Sequence, residues 1–196
     1  MLEITKSKII AVEGKDEDNF FSALFDNLGI SDIQIIDFGG KTNYKKRIKS
    51  ITKVSGFRNV QSFALTRDAD DNPPSSAFES IKYSLQQADL PVPGRLNVFS
   101  NSNPSIGVFI MPGNSNEGML EDLCLQSIEN LPVIDCIDRF IDCSEEKPSN
   151  QSKAKIMCYL ATKGPASKSL GLAAKQGIWD FDSESFNELK DFIFNI

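Results

Sequence analysis

The chain has 196 residues, 40% hydrophobic and 24% charged, which is the composition of a folded globular protein with room for one sizeable core. No apolar run approaches the roughly 20 residues of a membrane-spanning helix, and the start MLEITKSKIIAVEGK has too short an apolar stretch for a secretory signal, so the sequence points to a cytoplasmic protein. A formal charge of −6 argues against a uniformly cationic nucleic-acid binder, and the absence of histidine removes Ser-His-Asp triads, Cys-His dyads and most zinc enzymes.

In chain order, Ile9–Val12 is a short β-rich run ending at Glu13-Gly14. Phe20, Phe21, Leu24, Phe25 and Leu28 then recur at helical spacing, with Gly29 as the stop and Asp16 or a neighbour as the cap. Ile33–Phe38 reads as a second strand closed by Gly39-Gly40, and Thr42–Val54 as a helix with Tyr44, Ile48 and Ile51 on one side. Val60–Leu65 is a third strand that runs into Thr66-Arg67-Asp68-Ala69-Asp70-Asp71. Ser76–Ala88 is a helix, Val98-Phe99 and Ile106–Met111 are two further strands, and Glu117–Ile128 is a helix. Pro132–Ser149 reads as a helical piece followed by a polar loop. Lys153–Thr162, the region after Ser167 and a last segment with Phe186, Leu189 and Phe192 are helical.

This alternation is what a parallel α/β sheet requires, because parallel neighbours need crossover connections. Working groups in such sheets gather at the carboxyl ends of the strands. Glu13 after the first strand, and Asp68 and Asp70 after the third, therefore fall along one edge.

The four cysteines, Cys124, Cys136, Cys143 and Cys158, form no CxxC pair and read as reduced, mostly buried thiols. Chemistry must then come from carboxylates, lysines, hydroxyls or a hard metal. Basic residues are segregated: Lys41, Lys45, Lys46, Arg47, Lys49, Lys53 and Arg58 occupy one acid-free window, and Lys153, Lys155, Lys163, Lys168 and Lys175 another. Such windows make either solvated helix faces or local anion-binding surfaces inside a net acidic protein. Asp68-Ala69-Asp70 at a strand end is a candidate site for a hard divalent cation, or alternatively an ordinary acidic turn.

Val12-Glu13-Gly14-Lys15-Asp16, followed by the apolar strand ending Leu65-Thr66-Arg67-Asp68-Ala69-Asp70, resembles a Toprim domain. This is the metal-binding catalytic module of topoisomerases, bacterial primases and OLD-family nucleases; small stand-alone Toprim-like proteins share the pattern. The resemblance implies an α/β, Rossmann-like, mostly parallel sheet flanked by helices. A single domain would span residues 1–196, with a core over about 7–130 and a helical C-terminal extension over about 131–196. It implies Glu13 as metal ligand or general acid/base, Asp68 and Asp70 as ligands of Mg2+ or Mn2+, Glu17 as a second acid on the first helix, and Glu121 as a ligand on a later helix. Glu117 and Asp122 compete for that last role. Lys153 or Lys155 matches the basic residue that follows the acidic helix in OLD-type nucleases, and Lys155 is the catalytic candidate. Lys41, Lys45, Lys46, Arg47 and Lys153 are the candidates for holding a DNA or RNA backbone.

The implied activity is metal-dependent phosphoryl transfer on nucleic acid, most simply a nuclease. The alternative is a non-catalytic Toprim-like module that binds a metal, nucleic acid or a partner protein. The chain lacks a topoisomerase cleavage domain, a primase-type zinc segment and the GxxxxGK[ST] loop. An ATPase of the OLD kind would have to come from a separate protein partner.

Overall fold

The structure is a computed structural model that describes residues 2–164 and 167–196. Four parallel strands, β1 (Lys8–Val12), β2 (Ile33–Asp37), β3 (Ser62–Asp68) and β4 (Ser105–Met111), form one sheet in the order β2-β1-β3-β4. Helices α1 (Lys15–Leu28), α2 (Tyr44–Ile51) and α3 (Pro74–Gln86) make the crossovers, so the α/β parallel architecture expected from the alternation is the one observed. After β4 the chain is helical: α4 (Leu120–Gln126), α5 (Pro132–Asp142), α6 (Gln151–Ala161), α7 (Leu170–Lys175) and α8 (Asn187–Phe194). Among the described residues no helix is long and apolar enough to cross a membrane.

Both faces of the sheet are covered, which is why the strands read as continuous apolar runs. Ile9, Ala11, Phe63, Leu65, Val108 and Ile110 face α2 and α3 in one core. Ile10, Val12, Ala64, Phe109 and Met111 face the other way, into a core shared with α1 and the helices after β4. The second core holds Phe20, Phe21, Phe186 and Phe192, each fully buried, and each such side chain stabilises the fold by about 1.5–3 kcal/mol. Residues 131–196 therefore contribute directly to one layer of the sheet's core.

α1 ends where its sequence says it should, at Gly29 with φ +69, whose N–H returns to the Asp26 and Phe25 carbonyls. Its start differs from expectation. Gly14, which has no side chain, is the N-cap, while Asp16 lies within the first turn and bonds to Ser169 and Gly171.

Three other expectations are corrected. Val98-Phe99 is not a strand: Asn97 has φ +58, and the segment makes only two backbone bonds to β4, Asn97 N–H to Val108 and Ser100 N–H to Ile106. The Phe99 ring instead lies across Gly107 and stacks on Phe192, with ring centroids 5.2 Å apart. The helix expected from Glu117 begins at Leu120, because Gly118 (φ +131) is held in an antiparallel bridge to Asp70. Only Cys124 is buried, whereas Cys136 and Cys143 are exposed; all four thiols are free.

Candidate metal centre

The carboxyl edge of the sheet collects the acids. Glu13 follows the last residue of β1, and Asp68 is the last residue of β3, next to it in the sheet. A Glu13 Oε1 lies 3.4 Å from the Asp68 backbone N–H, which donates to it. The Asp68 carboxylate accepts the Leu120 N–H at 3.1 Å, so the first turn of α4 is docked on the end of β3. Asp70 stands beyond the strand in the left-handed region, φ +56, which aspartate tolerates better than most residues. Two reciprocal 2.8 Å backbone bonds to Gly118 hold it there.

The helices deliver two more carboxylates. Glu17 comes from the first turn of α1 and Glu121 from the first turn of α4, where a helix N-terminus favours negative charge. Only 12% of the Glu121 side chain is exposed. Its competitors Glu117 and Asp122 line a cavity together with Asp70. Glu117 is exposed in the preceding loop. Asp122 caps α4 through the Met119 N–H at 2.8 Å and accepts the Ser152 hydroxyl at 2.5 Å.

Electrostatics mark the cluster as strained in its charged form. Burial pushes Asp68 well above the usual carboxylate range, and the charges of Glu13, Glu17, Glu121 and Asp70 push it further. Glu13 is raised mainly by burial, against the Asp68 N–H and Arg67, which favour its charged form. Glu17 is also raised, again by burial first and then by Asp16 and Glu121.

Cations of the protein answer part of this charge. Lys41 binds Asp70 directly. Arg67 Nε approaches Glu13 Oε1 at 3.7 Å, with both side chains about nine-tenths buried (13% and 14% exposed). Lys153 on α6 lies 3.6 Å from Glu121. Lys155, the residue favoured on sequence, faces away from the cluster: its ammonium is 2.8 Å from Asp138 of α5. The α6 lysine brought to the carboxylates is thus Lys153. Arg67 was missed by the sequence reading. Its signal was its position on β3, one residue before Asp68, which turns it to the α2/α3 face together with Phe63 and Leu65.

Lys45, Lys46 and Arg47 lie on the exposed face of α2, with Lys45 4.8 Å above the Tyr83 ring. Asp16, despite its place beside Glu17, turns away to accept the Ser169 hydroxyl and the Gly171 N–H at the start of α7.

The donor set suits a hard divalent cation: carboxylate oxygens only, with more negative charge than the local lysines and arginine neutralise. Among the described residues, no three Asp, Glu or Cys side chains are close enough to grip a cation as they stand. The carboxylates are instead spread onto Lys41, Arg67, Lys153 and the Leu120 N–H, so holding an ion requires rotamer changes at part-buried Asp70 and along the glutamates.

The profile of one family, described as a protein of unknown function (DUF3226), matches residues 7–196. The chain belongs to the DUF3226 family. No curated protein and no solved structure matches it. The match begins just before β1 and runs to the last residue, so it takes in both the carboxylate edge and the helices after β4.

Proposed function

We propose that this DUF3226 member is a Mg2+- or Mn2+-dependent phosphoryl-transfer enzyme on nucleic acid, a nuclease built on a Toprim-like domain and working in the cytoplasm. The observation that carries the reading is Asp68, a part-buried carboxylate at the carboxyl edge of a parallel sheet, whose charged form is disfavoured first by burial and then by the charges of Glu13, Glu17, Glu121 and Asp70. Like charges gathered near one part-buried carboxylate are costly without a counter-cation, and a perturbed carboxylate of this kind at a sheet edge supports a functional site.

In this reading Glu13, Asp68 and Asp70 hold the cation, with Glu17 and Glu121 completing the site or holding a second. Bound there, a divalent ion would supply Lewis-acid stabilisation of phosphodiester oxygens. Glu13, raised by burial, is the residue suited to exchange a proton with the attacking or leaving oxygen. Lys153 is positioned to neutralise charge beside Glu121. Lys41, Lys45, Lys46 and Arg47 supply backbone phosphate contacts for DNA or RNA, whose strength would fall with added salt. A separate ATPase is a candidate partner.

One observation favours the alternative of a non-catalytic binding module: Asp70, Glu13 and Glu121 each already face a cation of the protein itself. A single assay separates the two. Supercoiled plasmid, single-stranded DNA and RNA are incubated with Mg2+ or Mn2+ and either the wild type or Asp70→Asn, with circular dichroism to confirm folding. Cleavage by the wild type alone supports the nuclease. Cleavage by neither favours the binding module, and equal cleavage by both overturns the assignment.

A further inference from the structure

Lys41 and Asp70 meet across the site. Because β1 lies between β2 and β3, a contact from the loop after β2 to the loop after β3 must pass over the end of β1, where Glu13 stands. Both ends of this bridge are fixed by backbone. The Gly39-Gly40 loop, with φ +75 and +102, is tied by its Gly39 N–H to Asp37 Oδ1 at 2.7 Å and by its Gly40 N–H to the Glu13 carbonyl at 2.5 Å. Asn43 Nδ2 donates to the Gly39 carbonyl at 2.6 Å. On the other side, Asp70 is pinned to Gly118. What remains free to open is the side-chain contact itself. It is half in water, with 47% of the Lys41 and 31% of the Asp70 side chain exposed.

We propose that Lys41 is a resident counter-cation on Asp70 that a divalent metal ion displaces, so that the Lys41 ammonium becomes available to a substrate phosphate only once the metal has bound. The inference rests on the metal-site reading above and adds to it an order of binding and a mobile residue. An exposed lysine–carboxylate pair is weak and easily exchanged. A lysine ammonium on its four-carbon stem can move from one oxygen anion to another without backbone change. A divalent ion carries twice the charge into the same carboxylates and takes Asp70 as a ligand. Lys41 is then left at the rim of the cleft, at the N-terminal side of the basic face formed by Lys45, Lys46 and Arg47.

The test titrates Mn2+ into the full-length wild type, Lys41→Met and Lys49→Met at one fixed ionic strength, by calorimetry. Lys49 is exposed on α2, the helix that follows the turn carrying Lys41, and controls for loss of one positive charge. Lys41→Met should bind Mn2+ about two- to fivefold more tightly than the wild type, and Lys49→Met should bind as the wild type does. In parallel, acetylation of Lys41 by an amine-reactive ester, read by mass spectrometry, should rise with Mn2+ and fall again when a thymidine oligonucleotide is added. If Mn2+ binds the wild type and Lys41→Met equally, or Lys41 labelling ignores Mn2+, the bridge is a permanent structural tie and the inference fails alone. If Mn2+ binds to none of the three proteins, the inference and the metal-site reading fail together.

Discussion

Asp16 and Gly171 lie 155 positions apart and touch: the Gly171 N–H donates to Asp16 Oδ1 at 2.9 Å. A Cβ at position 171 would fall 2.0 Å from the Asp16 carbonyl oxygen, so only glycine lets α7 sit against the first turn of α1. Asp16 thereby satisfies the start of α7 and fixes the turn of α1 that carries Glu17. Gly171→Ala should destabilise the fold by about 1–3 kcal/mol through overpacking. Asp16→Ala should cost a similar amount, about 1–3 kcal/mol, by leaving the Ser169 and Gly171 donors unmatched. Urea unfolding of each variant measures both, and a neutral Gly171→Ala would contradict the packing.

Asp68 gives a pH signature with a definite sign. Its folded-state pKa is raised well above 3.8, so the native state binds a proton that the unfolded state has already released. Its contribution to stability is therefore most favourable in acid and is lost as pH rises from 3.8 through the raised folded-state value. Asp68→Asn removes this penalty while an amide oxygen can still accept the Leu120 N–H. The variant should melt higher than the wild type at neutral pH, by about 2–4 °C for each 1 kcal/mol relieved in a chain of this size, with the gain vanishing in acid. Thermal melts of both proteins across pH check this; a gain that persists unchanged in acid would contradict it.

The two lysines of α6 should behave differently. Lys153→Met removes the cation beside Glu121 and is expected to lower metal-dependent cleavage by about a hundredfold, the scale of losing one electrostatic stabiliser. Lys155→Met breaks a partly exposed pair with Asp138, so it should leave turnover intact and shift stability by less than about 1 kcal/mol. Initial rates with Mg2+ or Mn2+ on plasmid, single-stranded DNA and RNA, with a melt of each variant, separate these outcomes.

Gly107 on β4 tests the placement of Phe99. A methyl group there would lie 2.6 Å from the Phe99 ring, so Gly107→Ala should cost about 1–3 kcal/mol, whereas Gly94→Ala, which meets open space, should be nearly neutral. Equal stabilities of the two variants would mean that Phe99 does not cross β4.

The four parallel strands were legible because both faces of the sheet are buried, and that leaves short apolar runs, residues 9–12 and 63–65, shortly followed by the acids Glu13 and Asp68. The same cue misled at Val98-Phe99, where the apolar side chain serves Phe192 of α8 and Asn97 breaks the extension. The acid edge could be read from the strand–helix alternation, because parallel strands put all their carboxyl ends on one side. The choice among neighbours could not, since Asp16 and Glu17, Glu121 and Asp122, or Lys153 and Lys155 differ only in which way each points. That direction is set by distant partners: Ser169 and Gly171 for Asp16, Ser152 for Asp122, Asp138 for Lys155. Arg67 went unread for the same reason, because its role depends on Glu13 of a neighbouring strand.

The most direct test of the central claim is anomalous diffraction from crystals of the wild type grown with Mn2+. The account predicts a strong anomalous peak at the carboxyl edge of the sheet, ligated by Glu13, Asp68 and Asp70, with the Lys41 ammonium moved off Asp70. Well-ordered crystals with no peak among these carboxylates, and Lys41 still on Asp70, would contradict it.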